Sequence, residues 1–262
     1  MEPESGPTPP RPTTVREILE RKVSRVVRAK RIPMRNTVGV VSFSFDDVTR
    51  SACRKGRDLL EAHDSLGTYY ACGGLTDQVR GDGAEPFHSR ADLLGLAEAG
   101  HELGCHGFAH LPYQQRGLDE VRADLERSRA FFGELGRDLP PANFAYPYGQ
   151  VAPAIKGIIR ERYVSARGVQ AAVNLKSVDL ALLAAVPLYS SELTEAAVAE
   201  LIERTERERG WLIFFTHGVV DTPGPFDCTP ALLDFALASA ARSDCRVLTV
   251  AHALGQIAFR PA

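Results

Sequence analysis

Three features that mark common protein classes are missing from this chain. Its five cysteines are odd in number and form no Cys-x-x-Cys pair, which argues against a disulfide framework and against a thiolate zinc site. It has no run of about 18 apolar residues that could span a bilayer. The formal net charge of −2 gives no positive field to attract nucleic acid. We therefore expect a soluble protein with reduced thiols and no nucleic-acid partner.

The amino-terminal part differs in composition from the rest of the chain. Residues 1–13 are rich in proline and lack the basic then apolar order of a secretory signal, which predicts a disordered tail on a cytoplasmic protein. Residues 14–35 place apolar side chains at helical spacing among many lysines and arginines, which predicts one basic amphipathic helix. This helix either packs on the domain with a solvated basic face or makes peripheral contact with an anionic surface at the inner membrane face.

Residues 36–262 alternate between strand-like and helical patterns, which predicts one catalytic domain of the α/β class with a parallel sheet. About seven or eight such units favour a distorted TIM-like (β/α)7 barrel over an open sheet, with functional residues at the carboxyl ends of the strands. Strands are predicted over residues 37–45, 67–72, 101–105, 143–146, 163–166, 184–188, 211–215 and 245–250, and helices over 50–62, 91–99, 118–135, 152–162, 195–209 and 230–241.

Two adjacent carboxylates, Asp46 and Asp47, follow a nearly continuous apolar run in the first of these strands. Burial of both would be costly without a cation nearby. Neighbouring strand residues point to opposite faces, so one carboxylate can bind a metal while the other faces the reacting centre. A solvated pair, or a helix N-cap at Asp47, is the alternative interpretation.

Histidines also stand at predicted strand ends. His106 and His110 are spaced i, i+4, which on a helical turn directs both imidazoles to one side and suits a metal, although a core or surface pair is the alternative. His217 ends an apolar strand, where a histidine is placed either in the core or for acid/base chemistry. We interpret the histidines without a partner in this pattern as surface or helix residues: His63, His88 and His252.

Four motifs now occur in a fixed order: Phe-Asp-Asp ending at Asp47, the His-x-x-x-His pair, Pro147-Tyr148-Gly149, and the strand-end His217. In this order they resemble the motifs of the polysaccharide deacetylases, the NodB-like domain of carbohydrate esterase family 4. The resemblance covers about residues 38–257 and implies a barrel of the NodB-homology type.

The resemblance implies a metal site. Its pattern assigns Asp47, His106 and His110 as the ligands of one divalent metal ion. Three protein ligands leave open positions for water and substrate, as a catalytic metal requires. Zinc is the first choice for such ligands, with cobalt, iron or manganese as alternatives.

The resemblance also assigns the acid/base chemistry. Asp46 corresponds to the base and His217 to the acid that protonates the leaving amine. The loop with Pro147 and Tyr148 corresponds to the family's substrate-binding loop, in which the Tyr148 backbone N–H would support the oxyanion.

The chain departs from the family pattern at three points. Val48 replaces the usual glycine, Ala145 stands where the family has an arginine that orients the base, and the usual aspartate and tryptophan motif is missing. We predict that Arg167 replaces the arginine that orients the base, and we group it with the oxyanion and substrate-binding residues. We predict that Asp179 orients His217.

By resemblance, the reaction is hydrolysis of a carbon–nitrogen bond other than a peptide bond. The implied substrate is an N-acetylated sugar in a polysaccharide, a glycolipid or its precursor. A hydrolase of a small-molecule amide or sugar nucleotide is the first alternative, and a barrel that binds a glycan without turnover is the second. The proline-containing loop 218–227 is expected to shape the substrate entrance.

Overall fold

The computed structural model describes residues 10–27, 29–79, 85–136 and 141–258. Its helices are α1 (Val15–Val26), α2 (Arg57–Ala62), α3 (Arg90–Glu98), α4 (Leu118–Glu134), α5 (Pro153–Arg162), α6 (Glu195–Glu208), α7 (Pro230–Arg242) and α8 (Val250–Ala258). Its strands are β1 (Arg31–Pro33), β2 (Val40–Asp47), β3 (Thr68–Ala71), β4 (Glu102–Cys105), β5 (Asn143–Ala145), β6 (Ser165–Arg167), β7 (Ser177–Asp179), β8 (Val186–Pro187), β9 (Trp211–Thr216) and β10 (Arg246–Val247).

Strand β2 forms the centre of the main sheet because its side chains are apolar or small on both faces. Every residue of β2 except Asp47 is buried, as expected of a parallel strand that is covered on both sides. It pairs in parallel with β9 over Val40–Phe45 and with β3 over Ser44–Asp47. Strand β10 pairs in parallel with the first two residues of β2, Val40 and Val41. The first carboxylate motif therefore ends a strand that is buried along almost its whole length.

The main sheet has the order β6-β5-β4-β3-β2-β9-β8, and its strands run parallel. Helices α2 to α7 lie in the connections between its strands. Leu183 forms a parallel bridge to Arg167 and thereby continues the sheet from β6 towards β8. This arrangement confirms the predicted distorted (β/α)7 barrel. Each helix of the described residues is too short or too polar to cross a bilayer.

The predicted disordered tail falls partly outside the described residues, which begin at residue 10. Within them, the Arg11 backbone N–H donates to Gln115 Oε1 at 3.0 Å, and the Arg11 guanidinium lies 2.9 Å from the Glu17 carboxylate. Helix α1 then begins with a capping box, in which Thr14 and Glu17 exchange side chain to backbone hydrogen bonds. The last residues of the predicted tail are therefore attached to the barrel.

The amino-terminal helix is shorter than the sequence predicts. Helix α1 ends at Val26, and the chain then forms β1, which pairs antiparallel with β7. The Asp179 carboxylate accepts the backbone N–H groups of Ala29 and Lys30, each at 2.9 Å, and so holds this stretch in a non-helical conformation. The prediction of one helix over residues 14–35 is therefore wrong beyond Val26.

The carboxyl-terminal strand is also shorter than predicted. Of the predicted strand over residues 245–250, two residues form β10, and α8 begins at Val250. The first N–H groups of a helix have no partner within it. Here Thr68 Oγ1 accepts from Val250 and Glu102 Oε2 accepts from Ala251, at 2.9 and 2.8 Å. The start of α8 thus depends on side chains at the amino ends of β3 and β4.

Candidate active site

A cavity of about 430 Å³ lies where the strands of the barrel end. Asp46 and Asp47 end β2, the loop after β4 carries His106 and His110, and His217 follows β9. All five side chains line the cavity. Because the carboxyl ends of parallel strands meet at one face, residues far apart in the sequence meet here. The other lining residues are Tyr146, Tyr148, Gly149, Val169, Pro187, Tyr189, Phe215 and Phe226.

Three side chains in this cavity form a cluster of metal-binding atoms. Asp47 Oδ1 lies 3.6 Å from His106 Nε2 and 3.3 Å from His110 Nε2, and the donor atoms of the cluster all lie within 4.8 Å of one another. Ligand atoms about 2.1 Å from a tetrahedral zinc ion are roughly 3.4 Å apart. The donor set therefore fits one divalent metal ion. Among the described residues, no second group of three such side chains has this spacing.

A left-handed turn carries Asp47 out of β2 towards the two histidines. Asp47 and Val48 have φ angles of 59° and 57°, a region that is strained for a β-branched residue and open to glycine. His88 holds the turn, because its Nδ1 lies 3.0 Å from the carbonyl oxygen of Val48 and 3.2 Å from that of Asp47. His88 is fully buried, so its interpretation as a surface or helix residue is wrong. Val48 is also fully buried, and this burial offsets its backbone strain.

Hydrogen bonding and burial set the state of the two histidines of the cluster. His106 Nδ1 lies 2.8 Å from the Ala145 carbonyl oxygen, which can only accept a hydrogen bond, so Nδ1–H donates to it and Nε2 is the nitrogen that faces Asp47. Burial lowers the pKa of His110 to about 4 despite the nearby Asp47 carboxylate, so its imidazole is neutral at physiological pH. Neutral imidazole is the form that binds a metal. The Tyr148 ring packs on His110 with ring centroids 4.3 Å apart.

Asp46 is buried at the end of β2 and forms an ion pair with Arg167. The Arg167 guanidinium lies between two rings, 4.9 Å from the centre of Tyr70 and 4.6 Å from that of Phe215. Burial alone would raise the pKa of Asp46. The charge of Arg167, together with the nearby histidines, outweighs burial and holds this pKa below its usual range. The site therefore keeps one carboxylate ionised and fixed in orientation.

Arg167 occupies the strand next to the one that carries the family's arginine position. Arg167 on β6 and Ala145 on β5 are direct partners in the register of the sheet, so their side chains lie on the same face. Arg167 is 1% exposed and lies behind Asp46 instead of at the cavity wall. Arg167 is therefore absent from the residues that line the cavity, and it contacts the predicted base, as expected of a replacement for the family's arginine.

His217 lies at the cavity wall, with Nε2 3.9 Å from Oδ2 of Asp47. Its Nδ1–H donates to the Phe226 carbonyl oxygen at 3.1 Å, and this hydrogen bond directs Nε2 towards the cavity. The Asp227 carboxylate holds this loop, because it accepts the N–H groups of Gly218 at 2.9 Å and Gly224 at 3.1 Å. A backbone carbonyl therefore stands where the family pattern uses an aspartate.

Asp179 does not orient His217, contrary to the prediction from sequence. Its carboxylate lies 2.6 Å from Lys156 Nζ and accepts the N–H groups of Ala29 and Lys30. It also accepts the Ala181 N–H at 3.0 Å, so its contacts join the amino-terminal segment to α5 and to the end of β7. It stabilises the fold at a place outside the cavity lining.

The substrate-binding loop predicted around Tyr148 forms a tight helical turn after β5. Tyr148 has a φ angle of 55°, and its ring lines the cavity. Burial raises the pKa of the Tyr148 hydroxyl to about 12, so the hydroxyl stays protonated at neutral pH. Pro147 is buried and begins the turn, while its neighbours Tyr146 and Tyr148 reach the cavity. Pro147 therefore shapes the loop instead of lining the cavity.

Several lining residues were not assigned from the sequence, and most of them are apolar or aromatic. Tyr189 directly follows the predicted strand 184–188, so the rule that functional residues follow strand ends could have identified it. Phe226 belongs to the loop 218–227, which was expected to shape the entrance, and it does line the cavity. Val169 and Phe215 carry no signal in the sequence beyond their hydrophobicity.

Solved structures of carbohydrate-modifying enzymes share this fold. A family 4 carbohydrate esterase from Streptomyces lividans, in complex with acetate, is 15% identical with a TM-score of 0.59, and the match covers 87% of this chain and 100% of that one. A family 4 acetyl xylan esterase from Clostridium thermocellum, in complex with a cobalt ion, is 17% identical with a TM-score of 0.58, over 82% and 90% of the two chains. The Bc1960 peptidoglycan N-acetylglucosamine deacetylase is 13% identical with a TM-score of 0.59, over 87% and 94%. These identities show the fold alone.

The match at the level of sequence families is more specific. No curated protein sequence matches the chain significantly. The model of the polysaccharide deacetylase family matches residues 34–164, which is half of the 262 residues and includes the first three motifs. The chain therefore belongs to the polysaccharide deacetylase family and is a hydrolase that acts on carbon–nitrogen bonds other than peptide bonds.

Proposed function

We propose that this protein is a metal-dependent deacetylase that removes the N-acetyl group from a sugar in a polysaccharide, a glycolipid or its precursor. One observation carries the proposal: the cluster of Asp47, His106 and His110 shares a cavity with Asp46 and His217. A metal site beside an ionised carboxylate and an imidazole has the groups that amide hydrolysis needs. The family match and the deacetylases of the same fold support this reaction class.

The proposed metal is zinc, with cobalt, iron or manganese as alternatives. Two imidazoles and one carboxylate are ligands that zinc accepts, and three protein ligands leave positions open for other groups. A bound ion would polarise the amide carbonyl and stabilise negative charge on its oxygen. The acetyl xylan esterase of the same fold contains a cobalt ion, which supports a divalent metal here.

Asp46 is the proposed base that takes the proton from the attacking water. Its ion pair with Arg167 keeps the carboxylate ionised at neutral pH, because the guanidinium holds the Asp46 pKa low despite burial. The guanidinium is itself fixed between the rings of Tyr70 and Phe215. A base that is both charged and held in place needs little reorganisation during the reaction.

His217 is the proposed acid that gives a proton to the leaving amine. The Phe226 carbonyl binds Nδ1, so Nε2 is the nitrogen that exchanges protons with groups in the cavity. On the substrate side, the backbone N–H of Tyr148 would donate to the carbonyl oxygen as negative charge develops on it. Proton removal and proton delivery are thereby assigned to separate groups, as the two halves of the reaction require.

The remaining walls of the cavity are suited to a substrate with a small acyl group next to a sugar ring. Val169, Pro187 and Phe215 present apolar surface, which suits the methyl of an acetyl group. Tyr189 and Phe226 present aromatic surface, and Phe226 is 53% exposed. An exposed aromatic side chain at a cavity can pack against the apolar face of a sugar ring.

The structure bears differently on the two alternative functions, the small-molecule hydrolase and the barrel that binds a glycan without turnover. A cavity of about 430 Å³ with apolar walls would also accept a small-molecule amide or a sugar nucleotide. Glycan binding without turnover was suggested by the missing arginine at Ala145. The ion pair between Asp46 and Arg167 argues against this alternative, because it provides the missing cation.

Acetate release from N-acetylglucosamine oligomers by the metal-reconstituted protein tests the proposal. Asp46→Asn and His106→Ala should each lower release by about a hundredfold or more, because each removes a group that the reaction uses. Matched controls are Asp119→Asn, at an exposed position of α4, and His63→Ala, whose imidazole pairs with Asp234 outside the cavity. Both controls should retain full release.

Three outcomes would change the assignment. Release from small amides alone would favour the small-molecule hydrolase, and release from O-acetylated xylan alone would make the protein an esterase. Tight glycan binding with no release under any of the four metals would favour the non-catalytic barrel.

A further inference from the structure

Helix α1 lies on the barrel with polar residues facing inward and apolar residues in solvent. Glu17 and Ser24 are buried, whereas Val15, Leu19 and Val26 are 82%, 60% and 79% exposed. A helix on the surface of a globular domain normally buries its apolar stripe. Half of the large hydrophobic side chains that are exposed within the described residues lie in α1 and the residue after it. The reversed orientation is therefore particular to this helix.

Polar contacts hold α1 in this orientation. Lys156 Nζ on α5 donates to the carbonyl oxygens of Ser24 at 2.7 Å and Val27 at 2.8 Å. Gln114 Nε2 donates to the Glu17 carbonyl oxygen at 3.1 Å. Lys156 is 2% exposed, so loss of these acceptors would leave a buried charge with fewer partners. Rotation of the apolar stripe onto the barrel would break these contacts, and the outward orientation is part of the fold.

The exposed side of the helix combines apolar and basic residues. The exposed apolar residues recur at spacings of three and four residues, so they form one stripe along α1. Segment 14–35 contains eight basic and two acidic residues in a chain whose formal net charge is −2, so the rest of the chain is acidic. We define the outer face of α1 by five exposed residues: Val15, Ile18, Leu19, Lys22 and Val26.

We propose that the outer face of α1 binds the surface of a bilayer that contains anionic lipids. An apolar stripe among basic residues is the arrangement of helices that lie in the plane of a membrane interface. Opposite charge favours anionic over neutral lipid, and each basic side chain near such a surface strengthens binding about fivefold. The acidic remainder of the chain is repelled by the same surface, which orients α1 towards the lipid.

The same charges disfavour a second copy of the chain as the partner. In a symmetric dimer through the outer face, two basic helices would face each other and repel. An anionic lipid surface instead satisfies both properties of the face, because it accepts the apolar side chains and attracts Lys22 and the exposed Arg25 beside the face.

Helix α1 lies beside the loop that carries a predicted metal ligand. Gln114 and Gln115, which follow His110 in this loop, bond to Glu17 and Arg11 at the start of the amino-terminal segment. Lipid binding would thus bring this loop close to the membrane, which suits a substrate held at a lipid surface. The binding proposal itself does not depend on the proposed catalytic function.

Co-sedimentation of the full chain with vesicles tests the proposal. We expect binding to vesicles of equimolar phosphatidylglycerol and phosphatidylcholine, and little binding to vesicles of phosphatidylcholine alone. Leu19→Gln should weaken binding by about tenfold through lost apolar contact. Lys22→Gln combined with Arg25→Gln should weaken it by about twenty-fivefold. The matched control Leu94→Gln, at a residue 37% exposed on α3, should bind like the unchanged protein.

The altered side chains are exposed, so the variants should keep the fold, which circular dichroism would verify. Binding that is equal on neutral vesicles, or that Leu19→Gln leaves intact, would overturn the proposal. Sedimentation equilibrium without lipid provides a separate check. A dimer that Leu19→Gln dissociates would assign the outer face to a second copy instead, whereas a monomer supports the lipid proposal.

Discussion

Carboxylates of low exposure lie at both ends of the parallel sheet, and their partners differ. At the amino ends of the strands, Glu102 accepts hydrogen bonds from the Asn143 side chain, the Thr68 hydroxyl and the Ala251 N–H. These donors are neutral, and burial raises the pKa of Glu102 above its usual range although the hydrogen bonds oppose the shift.

At the carboxyl ends, the carboxylates have charged or metal-binding partners. Asp46 pairs with Arg167, which holds its pKa low, and Asp47 approaches His106 and His110 at the cavity. The hydrogen-bonded carboxylate at the amino end joins β3, β4, β5 and α8. A carboxylate of low exposure therefore does not by itself indicate function in this fold, whereas its partners and its access to a cavity do.

The largest difference between the two ends should appear in activity. His106→Ala removes a ligand of the proposed metal and should lower kcat/KM by about a hundredfold or more. Glu102→Gln keeps the size of the side chain and should change kcat/KM less than about threefold. Steady-state acetate release by both variants measures this. Equal losses of kcat/KM in the two variants would mean that the two ends of the sheet are not functionally distinct.

The ion pair of Asp46 and Arg167 sharpens the comparison. Arg167→Ala removes the cation that lowers the Asp46 pKa, so this pKa rises and the acid limb of the pH profile of kcat/KM moves to higher pH. We expect kcat at neutral pH to fall by about tenfold to a hundredfold. Adding Ala145→Arg, at the partner position in the β5–β6 register, should restore part of the loss. A profile that keeps its acid limb in Arg167→Ala would contradict the role of the ion pair.

Glu102, at the amino ends of the strands, should make the free energy of unfolding depend on pH. The folded-state pKa of Glu102 lies above the unfolded one, so the folded state binds more protons between the two values. Stability should fall as pH rises through that window, by at most about 1.4 kcal/mol per pH unit from this group. Urea unfolding of Glu102→Gln should show a flatter dependence than the unchanged protein. Glu98→Gln, at an exposed position of α3, is the control and should leave the dependence intact.

A substitution in the loop that holds His217 should have the smallest effect on catalysis. Asp227→Asn weakens the acceptor of the Gly218 and Gly224 N–H groups and loosens the Phe226 carbonyl that binds His217 Nδ1. Because the imidazole itself is kept, we expect kcat to fall by only about threefold to tenfold, with KM nearly unchanged. A fall in kcat as large as that of His106→Ala would mean that Asp227 acts directly.

The sequence predicted the parts of the fold that follow from local pattern. Alternating strands and helices indicated the barrel, because hydrophobic periodicity reports which face of each element is buried. The rule that functional residues follow strand ends placed Asp46, Asp47, His106, His110 and His217 at one face, and the structure brings them into one cavity. The choice of Arg167 used the same rule, although its burial behind Asp46 could not be read from the strand order.

The errors came from contacts between segments that are distant in the sequence. Asp179 was matched to His217 by order along the chain, but it binds Lys156 and the turn before β1. His88 had no partner in the sequence pattern because the carbonyl groups that it binds belong to a turn forty residues earlier. The direction in which α1 faces was also hidden, since helical periodicity defines a stripe but not what covers it.

Zinc titration into the metal-stripped protein, followed by calorimetry and by acetate release in the same samples, tests the central claim most directly. The account predicts one ion bound per chain, activity that rises in proportion to occupancy, and loss of both in His106→Ala. Full acetate release by the stripped protein, or unchanged zinc binding in His106→Ala, would contradict it.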